Sequence, residues 1–144
     1  MTLLKTLISQ LRMKNALLFR GVTLAEGQAA SIALVKAGFI RIPRGYLNFL
    51  NLSDGLVWNG LELFSCGTQE RAGTVFDHQT LVEYHTKYTK GAFFSKRLVL
   101  GRGLECLICY NMTSHCYELV DRDSLNPVLK LPRFSDVLFQ LINA

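Results

Sequence analysis

An α+β domain, with helices packed on an antiparallel or mixed sheet and a helix at the C-terminus, is the fold class this sequence predicts. Three observations predict it. The first fifty residues carry apolar side chains at helical spacing, residues 95–120 break into short strand-like runs separated by turn residues, and the last ten return to helical spacing. A doubly wound parallel sheet would alternate strands and helices along the chain, and that alternation is missing.

The elements follow in order. Leucines or isoleucine at 3, 4, 7, 8 and 11 mark one face of a first, amphipathic helix. A connection from Asn15 to Val22 leads to Thr23-Leu24-Ala25-Glu26, the spacing of a capping box. There the threonine hydroxyl and the glutamate carboxylate each satisfy a backbone N–H of the first turn. That second helix runs to Ala37, with Gly38 as its stop. Pro43 opens a third helix, whose apolar face is Tyr46, Leu47, Phe49 and Leu50, with Asn48 and Asn51 opposite. Ser53-Asp54-Gly55 ends it.

Leu56-Val57-Trp58 and Leu61 to Phe64 flank Asn59-Gly60, a strong two-residue hairpin signal. Residues 65–78 read as an exposed loop, and Gln79 to Lys90 as a helix. Strands are expected at Arg97–Leu100, Leu104–Tyr110 and His115–Val120, with turns at Gly101-Arg102-Gly103 and Asn111–Ser114. Val128–Leu131 reads as a short edge strand blunted by Pro127 and Pro132. Ser135 is expected to cap the last helix, with Val137, Leu138, Leu141 and Ile142 facing inward.

A chain of 144 residues is the size of one domain, and 1–144 holds no repeat, linker or low-complexity tract. With 49% hydrophobic and 19% charged residues it has the composition of a chain that buries a core without metals or disulfides. The opening Met1 to Ile8 is followed by no small-residue cleavage site and is broken by Lys5, Gln10 and Arg12, so it reads as a helix and not a signal peptide. No apolar run approaches the ~20 residues of a membrane span. A cytoplasmic location with no membrane partner is the expectation, and free thiols are the default there.

Cys66, Cys106, Cys109 and Cys116 make an even count. On a strand, Cys106 and Cys109 point to opposite faces, which argues against a zinc knuckle. Across a four-residue turn Cys109 and Cys116 would be hairpin neighbours. There is no GxSxG elbow, phosphate loop or HExxH. Gly101-x-Gly103 opens no helix, so it reads as a turn and not a phosphate cradle. His78 reads as a cap or surface histidine, His85 as lying near a core face, His115 as a strand edge, and Asp121-Arg122-Asp123 as a solvated turn. A nucleophilic Cys66 would need an activating neighbour. No catalytic residue, metal or cofactor is expected, and the chain reads as a binder.

Sixteen Lys and Arg against eleven Asp and Glu give +5. These cations are scattered and densest from Lys87 to Arg102, a solvated face or a contact for an acidic partner. Nucleic acid is the weaker reading, because no cationic run or aromatic-interleaved motif is present.

The segment Ile42-Pro43-Arg44-Gly45-Tyr46-Leu47-Asn48-Phe49-Leu50, then Asp54-Gly55 and Trp58-Asn59-Gly60-Leu61-Glu62-Leu63-Phe64, resembles the SUKH superfamily. Leu-Val-Leu-Gly at 98–101, Tyr-Glu-Leu-Val-Asp-Arg at 117–122 and Phe134-Ser135-Asp136 fit the same pattern. The resemblance covers about residues 23–144 and is densest at 42–64. Where that family usually has Asn before the turn glycine, this chain has Asp54; both tolerate a turn backbone.

The resemblance implies a SUKH-like α+β fold and an immunity protein. Such a protein neutralises the C-terminal domain of a cognate polymorphic or contact-dependent bacterial toxin by stoichiometric binding. The motif residues themselves read first as structural: Pro43 starts a helix, Tyr46 and Phe49 pack, and Gly55 and Gly60 turn. Tyr46, Trp58 and Glu62 are candidates for a partner groove. Gln69, Glu70 and Arg71 in the 67–77 loop, with Lys87, Lys90, Lys96 and Arg97 in the basic stretch, are the other candidate contacts. The alternative is a basic module for nucleic acid or another acidic ligand, and a third reading is an enzyme using Cys66 or a histidine.

Overall fold

The computed structural model describes residues 2–67 and 79–143. Its helices are α1 (Leu3–Met13), α2 (Leu24–Lys36), α3 (Arg44–Leu52), α4 (Leu81–Lys87) and α5 (Phe134–Ile142), with a 3-10 turn at Ala92–Lys96. The strands are β1 (Leu17–Leu18), β2 (Leu56–Trp58), β3 (Leu61–Leu63), β4 (Arg97–Arg102), β5 (Cys106–Asn111), β6 (Cys116–Asp121) and β7 (Pro127–Leu131). They form one open sheet in chain order, every neighbouring pair antiparallel. The expected α+β class holds, and the sheet is antiparallel and not mixed. The single parallel contact among the described residues is an isolated bridge between Ser65 and Thr80.

Local chemistry explains most boundaries. Thr2 caps α1 through the Lys5 amide, and the predicted Thr23–Glu26 capping box opens α2. Asn15, at φ 62°, turns the chain out of α1 and into β1, a two-residue strand too short to leave a sequence pattern. At the hairpin, Asn59 (φ 49°) and Gly60 (φ 80°) both take the left-handed backbone that a type I′ turn requires. A second capping box, Thr80 with Glu83, sets the start of α4. That helix stops at Lys87 and not at Lys90, ahead of the turn at Gly91.

Several expectations are corrected. The supposed turn at Gly101-Arg102-Gly103 is largely strand, since β4 continues through Arg102 and the chain reverses over Gly103–Glu105. Gly101 is there for close approach: a Cβ would lie 2.5 Å from the Glu62 carbonyl oxygen of β3. The register slips between Val99 and Gly101, a bulge that bends the central strand. The next turn occupies Met112–His115, held by the Asn111 carboxamide oxygen accepting the Thr113 and Ser114 amides. That register places Cys109 opposite Glu118 and Cys116 opposite Asn111, so the two cysteines are not cross-strand neighbours. Helix α5 starts two residues earlier than a Ser135 cap would place it, with Arg133 as N-cap and no side-chain cap. In place of a serine cap, Arg133 pairs with Asp136 at 3.0 Å, where a carboxylate also meets the positive end of the helix dipole.

The core runs between helices and sheet. Tyr46, Phe49, Phe64 and Phe134 are its largest fully buried side chains. The rings of Tyr46 and Phe134 meet edge-on at 5.0 Å, and Tyr117 of β6 joins Phe134 at 5.7 Å, fastening α3 and α5 to one sheet face. The Tyr117 hydroxyl oxygen lies against the start of α3, where a Cβ on Gly45 would crowd it at 2.6 Å. Helix α1 packs on α5 and α3, while α2 packs on α4.

Candidate functional site

The residues singled out from the sequence separate into internal and outward-facing groups. Tyr46 is fully buried, and its hydroxyl donates to the carbonyls of Phe64 and Leu100, the latter at 3.1 Å. Burial drives its phenol well above the ordinary value, so it is locked as a neutral donor. The structure places this candidate residue in the interior, where its hydroxyl holds α3 to the place where β3 and β4 meet. Glu62 is likewise turned inward. One carboxylate oxygen accepts the Arg102 Nε–H at 2.9 Å and the other accepts the Gln79 amide at 2.9 Å.

Arg97 donates Nε–H to the fully buried Glu118 at 2.8 Å and lies over the Phe93 ring, 4.2 Å from its centroid. Its positive charge is spent on neutralising a buried carboxylate that Asn111 also bonds, at 3.4 Å. Trp58 is half-buried against the core. Lys87, Lys90 and Lys96 are exposed. Gln69, Glu70 and Arg71 lie outside the described residues, as does His78.

Asp54, read as a turn residue, is fully buried. Its carboxylate accepts the Cys66 amide at 2.7 Å and the Gly67 amide at 3.3 Å. Beside it, the Ser53 hydroxyl accepts the Phe19 amide and donates to the Gly55 carbonyl. Asp54 and Glu62 thus grip the chain on both sides of residues 68–78: Asp54 holds Cys66 and Gly67, and Glu62 holds Gln79. Ser65 closes the base by accepting the Leu81 amide at 2.8 Å. No local pattern announces this clamp, because its bonds join residues 12, 13 and 17 apart.

The nucleophile and base candidates are quenched by their surroundings. Burial, reinforced by Asp54, pushes the Cys66 thiol up to about 12, and burial beside Glu118 does the same for Cys109. His85 donates Nδ1–H to the Leu81 carbonyl at 2.7 Å and accepts the Val99 amide on Nε2 at 2.9 Å. Both ring nitrogens are occupied by backbone, and burial lowers its pKa to about 4. Among the described residues no group of three or more His, Cys, Asp or Glu side chains is placed to hold a metal. None of their helices is long and apolar enough to cross a membrane.

One outward feature stands apart. Helices α2 and α3 wall a groove of about 870 Å³. Leu24 (76% exposed), Ile32 (55%) and Val35 (54%) present apolar side chains along its α2 side. Leu47 and Ile42 complete its apolar lining, and Gly27 of α2 leaves room for the Leu47 side chain of α3: a Cβ there would come within 3.1 Å of the leucine methyl. Ser31 accepts the Ile42 amide at 3.1 Å, fixing the α2–α3 connection against the groove. The charged residues of the lining are Lys36, Arg41 and Arg44, all cationic. The sequence did carry a signal for this surface. Helix α2 is apolar on two sides, Gly27, Ala30 and Leu34 inward and Leu24, Ile32 and Val35 outward, and only one side can face the core.

A second hollow, of about 660 Å³, lies where the starts of α1, α3 and α5 converge, beside Lys5, Arg44, Arg133 and Tyr117. No family model matches the chain, and no curated protein matches it.

Proposed function

We propose that this protein acts by binding another protein stoichiometrically, and that the partner is the C-terminal domain of a cognate bacterial toxin, which it neutralises in the cytoplasm. The observation that carries the reading is the α2–α3 groove. A helix that exposes three large aliphatic side chains beside cations with no ion pair among the described residues bears the solvation cost of an exposed apolar stripe, and such patches mark protein contact surfaces. The resemblance of residues 42–64 to the SUKH motif supplies the identity of the partner class.

The inward-turned chemistry supports the same reading. The two carboxylates at the loop base, the Glu118–Arg97 pair and His85 all bond the protein itself, and the thiols of Cys66 and Cys109 are held protonated. The work of this chain is then to present a surface complementary to an acidic toxin face and occlude the toxin's active site or substrate entry.

The test is titration calorimetry of the purified chain against the toxin domain encoded beside it, paired with co-expression. A one-to-one complex at nanomolar to micromolar affinity, with relief of toxicity, is the expected result. No complex at micromolar concentration, or a steep salt-dependent association with DNA or RNA in its place, would reject the reading in favour of a nucleic-acid module.

A further inference from the structure

We infer that the α2–α3 groove takes an amphipathic helix of the partner, with its acidic residues gathered at one end. The inference rests on the proposed function for the identity of the partner, and on the groove alone for the chemistry of what fills it.

The backbone of the walls decides the conformation of the occupant. Both are α-helices, α2 of 13 residues and α3 of 9, whose amides and carbonyls are consumed within the helices themselves. An extended peptide gains its affinity from main-chain bonds to a free strand edge, and no strand borders this groove. An occupant lying here must satisfy its own backbone, which a helix does. Leu24, Ile32 and Val35 fall on one stripe of α2, and facing side chains at helical spacing fit between them and Leu47. At 1.5 Å per residue the α2 wall is about 20 Å long, room for an occupant of about four turns.

Charge decides its polarity. Lys36 closes α2, Arg41 lies in the connection and Arg44 opens α3, so the three cations gather at one end of the groove. The opposite end, at Leu24 and Asn51, has no charge in the lining. Glu26, in the first turn of α2 at that end, is taken up by the Thr23 amide at 2.8 Å and by Arg20 at 3.4 Å. A partner helix acidic along its whole length would gain at one end only; one with carboxylates at a single end matches the groove.

The experiment uses the full chain, with Ile32→Gln and Arg41→Glu as variants. Both side chains are exposed, so the thermal midpoint should stay within a few degrees of the parent. Probes are the toxin domain encoded beside the chain and two synthetic amphipathic helices of roughly 14 residues, one ending in three glutamates and the other in three lysines. We expect the glutamate-ended helix to bind at least about tenfold tighter than the lysine-ended one. NMR shift changes should concentrate on α2 and α3, and each variant should weaken both that helix and the toxin by about tenfold or more.

Equal binding of the two helices overturns the inference. So does a toxin that binds wild type and both variants alike, which leaves the neutralisation proposal standing. A toxin that fails to bind while the glutamate-ended helix still binds selectively rejects the toxin and upholds the chemistry of the groove. Self-association abolished by Ile32→Gln, or oligonucleotide binding abolished by Arg41→Glu, would reassign the groove to a second copy or to nucleic acid.

Discussion

The base of the 68–78 segment and the outer face of α2 use opposite kinds of side chain in opposite directions. At the base, the carboxylates of Asp54 and Glu62 are drawn inward to hold backbone amides of Cys66, Gly67 and Gln79. On α2, aliphatic Leu24, Ile32 and Val35 are turned outward, where a core would normally claim them. Each arrangement costs free energy when viewed alone. Burying a carboxylate is compensated within the molecule by charge-assisted hydrogen bonds, so the base is complete as it stands. Exposing an aliphatic stripe is compensated only when something covers it. The difference separates a region built for stability from one left over for association.

The largest effect should come from breaking the base. Asp54→Ala removes the acceptor for two amides in a region too enclosed for water to replace it fully. We expect a loss of about 3 kcal/mol in stability, read as a lower urea midpoint at unchanged slope. Asp54→Asn keeps one acceptor oxygen and should lose about half as much. A change below about 0.5 kcal/mol for Asp54→Ala would mean that the carboxylate does not hold the base, and the contrast with α2 would collapse.

The next effect is a pH dependence on the same inward side. His85 has a pKa of about 4 when folded against an ordinary value of 6.5, because burial disfavours the imidazolium. Between those values the unfolded chain binds the proton and the folded chain does not. Stability from this group is therefore fully present above pH 6.5 and falls as the pH drops toward 4, by up to about 3 kcal/mol. Urea titrations from pH 7.5 to 4.5 check this, and His85→Gln should flatten the slope over that window while lowering stability overall. A wild-type profile already flat over that interval would contradict the burial argument.

Tyr46→Phe is milder, because the ring and its contacts with Phe49 and Phe134 remain and only the hydroxyl bonds to Phe64 and Leu100 are lost. About 1–2 kcal/mol is expected, with no change in partner affinity beyond about twofold. A large affinity loss at unchanged stability would restore Tyr46 to the partner surface and undo its assignment to the interior.

How much of this was legible in the sequence differs between the two regions for physical reasons. Local signals are short-range: Thr23 with Glu26, the leucine spacing of α1 and Asn59-Gly60 each declare an element within a few residues, and the structure bears them out. Glycine is ambiguous, since one residue type serves both a turn and a close backbone approach; Gly101 looked like the first and is the second. Register is set by where a turn begins, and a one-residue displacement moved Cys109 from Cys116 to Glu118. The clamp was invisible because Asp54 beside Gly55 has the composition of a solvated turn, and its partners are amides, which carry no sequence identity. The groove was half legible: the surplus of apolar residues on α2 is plain, but which side lacks a partner is decided by tertiary packing. The spread of Tyr46, Trp58, Glu62 and Arg97 has the same origin, since spacing along a chain does not distinguish a charge that faces water from one that neutralises Glu118.

The smallest stability effect is the one that sharpens the contrast most. Leu24→Gln and Val35→Gln replace side chains that are 76% and 54% exposed. Little apolar burial is lost within the monomer, and glutamine suits a helix as well as these residues do, so the change in unfolding free energy should stay within about 0.5 kcal/mol. The same pair of substitutions removes the uncovered stripe and should raise solubility at high concentration while weakening the partner complex. Equilibrium unfolding and titration calorimetry on the same samples separate the two readouts. A destabilisation above about 2 kcal/mol would show that the stripe is covered within the folded chain itself, and α2 would then belong with the base of the 68–78 segment as part of the protein's own scaffold.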